Sequence, residues 1–176
     1  NNLSINVTEL FSQDDPNAII LELCSAVERF GDTYTDTLPI TKAPPFEFTD
    51  MDTLQKSMLD AWLKANDMPL DSNAVEILAA MRTRYNVGSE YNAEDARRIV
   101  GVRYEINDRF NINTTPYVFA EDVSMPLLTY LMEQDIPGFE VSSSYVREYK
   151  TQYAAHLLGY TGKLTAEEWE TYADKD

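Results

Sequence analysis

Tyr117-Val118-Phe119-Ala120, then Ser124-Met125-Pro126-Leu127-Leu128 running on to Leu131-Met132, then Ile136-Pro137-Gly138-Phe139-Glu140-Val141, is the stretch whose reading decides the fold. The first four residues form a short, nearly continuous apolar run, as a buried strand would. Ser124 is placed to cap a helix whose Leu127, Leu128, Leu131 and Met132 share one side. Pro137-Gly138 then turns the chain into a long alternating segment. In it Phe139, Val141, Ser143, Tyr145, Arg147 and Tyr149 face one way, and Glu140, Ser142, Ser144 and Glu148 the other. Strand, helix and strand in this order predict a compact βαβ unit, with a right-handed crossover if its strands are parallel.

Upstream, Leu3 to Leu10 alternates well enough to be a strand, with Leu3, Ile5 and Val7 on one face. Asp15 and Pro16 read as the cap and first turn of a helix carrying Ile19, Ile20, Leu23, Val27 and Phe30 at helical spacing, and Gly31 stops it. Thr33 to Phe48 holds Pro39, Pro44 and Pro45, so it is expected to be a loop with short extended pieces. A helix follows from about Asp50, with Met51, Leu54, Met58, Leu59 and Trp62 as its stripe, ending at Asp67-Met68-Pro69. Another begins near Asp71-Ser72-Asn73 with Val75, Leu78, Met81 and Tyr85 inward. A third starts at Asn92, placed to cap the Asp95 amide, and continues through Ile99, Val102 and Ile106. The Met and Trp stripe reads as core rather than as a cofactor box.

The expected fold is therefore α+β. A small β-sheet is built from both ends of the chain, and a helical head of about residues 49–113 is inserted between segments 1–48 and 114–176. Beyond the alternating segment, a short helix around Tyr153 to Leu158 leads to Gly159-Tyr160-Thr161-Gly162. Thr165 with Glu168 makes a capping box for a last helix.

Composition narrows the function. At 176 residues the chain can bury about 70% of its unfolded surface, so a real core is expected. Lys plus Arg number 14 against 30 Asp plus Glu, a formal charge of −16, which repels phosphate backbones and anionic lipid and argues against nucleic-acid binding. One cysteine, Cys24, cannot close an internal disulfide, and one histidine, His156, leaves little for zinc sites or His-based triads. No apolar run reaches the ~18 residues of a membrane span. The start at Asn1, without Met or signal segment, reads as a piece cut from a longer protein.

Chemistry-bearing motifs are sparse. No serine has Lys three residues on, as an acyl-serine nucleophile with its activating amine requires, and no Lys-Thr-Gly follows. Gly-x-Ser-x-Gly, phosphate-binding loops and calcium loops are absent from the sequence as well. Asp14-Asp15, Asp50/Asp52, Glu121-Asp122 and Glu167-Glu168 sit at expected helix starts, where the macrodipole favours negative charge by ~0.3–1 kcal/mol each. His156 reads as a packed ring near a helix C-terminus, where a free carbonyl can accept from it. These residues predict no catalytic site, no metal and no cofactor.

The C-terminal run carries a family resemblance. Arg147-x-Tyr149, Ala155-His156-Leu157-Leu158-Gly159-Tyr160-Thr161-Gly162 and Leu164-Thr165-x-Glu167-Glu168 resemble the end of the N-terminal, non-catalytic region of class B penicillin-binding proteins, often called the dimerisation or pedestal domain. Tyr117 to Asp122 and Ile136 to Val141 fit the same family in order. The family usually continues Arg-x-Tyr with Pro and Gly, where this chain has Lys150-Thr151-Gln152. Its opening Arg-Gly run and its Gly-x-x-Gly-x-Glu run toward the transpeptidase are missing here. The resemblance implies a module of a cell-wall assembly enzyme outside the cytoplasmic membrane. Such a parent carries one N-terminal anchor and a C-terminal acyl-serine transpeptidase, and touches a multi-spanning glycan polymerase. It further implies a structural joint at Arg147, Tyr149 and His156, with Gly159 and Gly162. Competing readings are a free-standing acidic extracellular hydrolase, for example of wall glycan, and a secreted acidic binding module.

Overall fold

A computed structural model describes residues 1–108 and 117–142, and the structural statements below concern these. Arg147, Tyr149, His156, Gly159 and Gly162 lie outside them, as do the alternating segment past Ser142 and the two C-terminal helices expected beyond it. The element order is β1 (Asn2–Ile5), α1 (Val7–Phe11), α2 (Pro16–Arg29), α3 (Thr53–Ala65), α4 (Ala74–Arg84), α5 (Ala93–Asp108), β2 (Tyr117–Ala120), α6 (Met125–Gln134) and β3 (Phe139–Ser142). The fold is α+β, with its sheet drawn from both ends of the chain.

The sheet order is β2-β1-β3, and β1 is antiparallel to both neighbours. β2 and β3 therefore run the same way, joined by α6, but the expected βαβ unit is split, with β1 from the chain start filling the gap between its strands. A bulge between Leu3 and Ser4 takes the β2 register from Ala120 to Val118, leaving Phe119 unpaired with β1. Its carbonyl instead accepts from the Thr35 amide at 2.8 Å, so the 33–48 segment starts along the outer edge of β2.

The first strand is shorter than its alternation predicts. Asn6 accepts from the Glu9 amide at 3.2 Å and opens α1, so Val7 and Leu10 are buried by helical rather than strand spacing. An Asx cap competes with strand continuation, and here the cap wins. Asp15 caps α2 through the Ala18 amide at 3.0 Å with Pro16 in the first turn, as expected. The starts of α3 and α4 are capping boxes, Asp52 with Gln55 and Asn73 with Glu76.

The stripes of α3 and α4 keep Leu59, Trp62, Leu78, Met81 and Tyr85 inward but are rotated slightly from their expected positions, and that of α6 gives up only its last member. Leu54, Val75 and Met132 are 67%, 59% and 70% exposed, while Leu63 and Ile77 take the inward places on α3 and α4. Ser124 does precede α6, yet its hydroxyl gives no cap bond; it donates to Asp32 Oδ2 at 2.6 Å, and its amide to Asp32 Oδ1 at 3.1 Å. Gly138, at φ +82°, turns the chain into β3 with Leu10 backbone 3.1 Å from where a Cβ would sit. A side chain there meets both a left-handed backbone and a wall.

The core is one continuous cluster. Leu3 and Ile5 of β1, Ile20, Leu23 and Val27 of α2, Ile99, Val100 and Val102 of α5, and Leu127 and Leu131 of α6 are all shut off from water. Helix α5 is buried on nearly every side from Ala96 to Ile106, and two of its charged residues, Arg97 and Glu105, are buried with it. A helix covered all round is expected to be apolar all round. The exception marks the site.

Candidate functional site

The segment from Thr33 to Phe48 crosses α5 as a strap, and its backbone is bound by side chains of that helix. Arg97 Nη1 meets Asp36 Oδ2 at 3.0 Å with both side chains 1% exposed. Its Nη2 also donates to the carbonyls of Leu38 at 3.0 Å and Ile40 at 2.8 Å. A forked, planar guanidinium spans a carboxylate and two carbonyls at fixed angles, a geometry that the compact ammonium of a lysine does not match. Two turns on, Glu105 accepts from the Thr37 amide at 2.7 Å and from the Thr37 hydroxyl. Among the described residues the Nε–H of Arg97 is buried with no acceptor, at a cost on the order of 1–3 kcal/mol.

Gly101 lies one turn after Arg97 and makes room for the pair. A Cβ there would stand 2.5 Å from Arg97 Nη1 and 2.8 Å from both Asp36 oxygens. Arg97, Gly101 and Glu105 thus form a charge–space–charge row at four-residue spacing, on one face of α5.

Behind the strap, Tyr34 stacks on Phe119 with ring centroids 5.1 Å apart, and its hydroxyl donates to Glu28 Oε1 at 3.3 Å. Cys24 is fully buried beside it. Burial pushes the Cys24 thiol far above its ordinary range, with the carboxylates of Glu28 and Asp36 adding to the shift. Burial, with the same two carboxylates and the thiol itself, does the same to the Tyr34 phenol. A reactive thiolate needs partial exposure and a positive neighbourhood, so Cys24 is inert.

In front of the strap, an apolar groove of about 170 Å³ runs between α4 and α5. Phe46 of the strap, Leu78 and Ala79 of α4, and Ala96 and Val100 of α5 line it, and Phe48 and Val75 stand exposed beside it. Its lining holds no carboxylate, hydroxyl or thiol; its polar groups are Arg82, committed to loop carbonyls, and Arg97. The groove offers shape and apolar contact and no bond chemistry. Among the described residues no group of three or more His, Cys, Asp or Glu is placed to hold a metal ion.

These features describe a braced scaffold. The family model of the penicillin-binding protein dimerisation domain matches residues 2–176. The chain belongs to that family. No curated protein matches the sequence. The dimerisation domain is the non-catalytic part of penicillin-binding proteins, in keeping with an interior whose buried charges are spent on bracing. Among the described residues no helix is long and apolar enough to cross a membrane.

The joint residues expected from the sequence, Arg147, Tyr149, His156, Gly159 and Gly162, fall outside the described residues. The bracing set that the structure does bring together, Asp36, Thr37, Arg97, Gly101 and Glu105, was not singled out by the stripe reading of α5. Ile99, Val102 and Ile106 account for one face only. A signal was nevertheless present: Ala96, Val100 and Gly101 are small or apolar on another face, so the helix had two sides to bury.

Proposed function

We propose that this dimerisation domain is the pedestal of a class B penicillin-binding protein, positioning a C-terminal acyl-serine transpeptidase that cross-links peptidoglycan. The observation that carries the reading is the family match along residues 2–176. The absence of Ser-x-x-Lys and Lys-Thr-Gly from this sequence supports the placement of the chemistry in another domain of the same protein. The parent is held at the outer face of the bacterial cytoplasmic membrane by a single N-terminal anchor. It works beside a multi-spanning glycan polymerase. The helical head of about residues 49–113 faces outward and is the partner side. Arg147, Tyr149 and His156, with Gly159 and Gly162, form the joint toward the transpeptidase.

A pedestal must keep its shape while the domain it carries works on a polymer. The buried Arg97–Asp36 pair supports that role, because a strap fixed by a fork of hydrogen bonds has one seating rather than many. The test is to follow the reading frame beyond Asp176 and label the intact protein with fluorescent penicillin. The expected result is a downstream Ser-x-x-Lys whose serine takes the label. An intact protein without any acylating domain would overturn the reading.

A further inference from the structure

The pairing register carries a mechanical consequence. Asn2 faces Ser142, Leu3 faces Val141, Ser4 faces Glu140 and Ile5 faces Phe139. The chain therefore comes into β1 and leaves β3 at the same end of the ladder, with paired Cα atoms about 4.5–5.5 Å apart in an antiparallel pair. The chain leaves β1 and enters β3 at the other end, which is closed by the Asn6 amide donating to the Gly138 carbonyl at 3.0 Å.

Among the described residues, the two edges of β1 are not equally fastened at the open end. Toward β2, the Asn1 carbonyl accepts from the Val123 amide at 2.9 Å, and Asn2 Oδ1 accepts from the Asp122 amide at 3.4 Å. Toward β3, the last pair is polar, Ser142 is exposed and Val141 is 41% exposed. Resistance rises inward, through Leu3 to Ile5, both 0% exposed.

We infer that the β1–β3 ladder is a tension clasp: a pull between the chain entering β1 and the chain leaving β3 peels β3 away from β1, working inward through Asn2–Ser142, the outermost pair among the described residues. Load in this direction reaches one pair at a time, whereas load along the strands must break all four pairs together. Peeling bares the edge of β1, an unpaired row of backbone donors and acceptors. The inference rests on the pedestal reading for the source of the tension, since that reading places holding points on both sides of the ladder.

Single-molecule force spectroscopy on the full chain tests it. Handles attached through azide-bearing residues at positions 1 and 143 load the ladder in the peeling direction; handles at positions 1 and 139, at opposite ends of the paired strands, load it along the strands. The rupture force is expected to be several-fold lower in the first geometry. A staple, Asn2→Cys with Ser142→Cys, is expected to abolish the low-force event under oxidising conditions and restore it on reduction, with buried Cys24 taking no part. Equal rupture forces in the two geometries, or a low-force event that survives the staple, would overturn the clasp. The pedestal reading fails separately, through the absence of an acylating domain in the intact protein.

Discussion

The layer formed by β1, α2 and α6 and the junction between the strap and α5 are held in opposite ways. In the first, Leu3, Ile5, Ile20, Leu23, Leu127 and Leu131 are shut away from water and meet one another without a charge among them. In the second, an arginine, an aspartate and a glutamate are shut away just as completely, and each is committed to backbone or to its counter-charge. Apolar burial is non-directional and tolerates small sliding. A buried fork does not. The difference assigns cohesion to one region and seating of the strap to the other.

The largest expected effect separates these two kinds of contact. Arg97→Met leaves Asp36 buried without its partner and should cost about 3–5 kcal/mol in denaturant unfolding. Asp36→Leu with Arg97→Met should restore part of that loss, since no lone charge remains. A double variant as unstable as the sum of the two single ones would erase the distinction. On the apolar side, Leu131→Ala should cost about 2–5 kcal/mol, and no second substitution among the charged residues should recover any of it. Gly101→Ala sharpens the comparison from the helix itself. Its Cβ must push apart Arg97 and Asp36, so a loss of about 1–3 kcal/mol is expected, although alanine is the better helix former.

The effect that is smallest at neutral pH is one of protonation. Cys24 and Tyr34 keep their protons in the folded chain, while the unfolded chain releases them from ordinary values of 9.0 and 10.0. Folded pKa values raised in this way give stability that is complete below about pH 9 and declines as pH rises beyond it. The slope is about 1.4 kcal/mol per pH unit for each group once its unfolded form is ionised. Unfolding midpoints measured from pH 7 to 11 should fall above pH 9, and Cys24→Ala with Tyr34→Phe should flatten the fall. An unchanged slope in the double variant would place the alkaline loss elsewhere.

What could be read in advance follows from the same contrast. Apolar layers announce themselves through period: Ile20, Leu23 and Val27 on α2, and Leu127, Leu128 and Leu131 on α6, are inward as their spacing predicts. Caps were legible too, because Asp15, Asp52, Asn73 and Asn92 carry short acceptors just before helical runs. Rotation of a stripe was not, since Leu54 and Leu63, or Val75 and Ile77, are equally apolar and only the packing partner chooses between them. The place of β1 between β2 and β3 was hidden for a different reason: strand order is set by long-range pairing, and a four-residue strand carries no mark of its neighbours. The bracing set stayed hidden because a buried arginine and an exposed one look alike until its acceptors, the carbonyls of a distant loop, are in place.

Intact-mass measurement after incubation with a penicillin puts the non-catalytic role of this dimerisation domain to its most direct test. The mass of the chain is expected to stay unchanged, because none of its serines has a lysine one helical turn away to take the hydroxyl proton. A stable adduct, one penicilloyl group on one serine, would contradict that role.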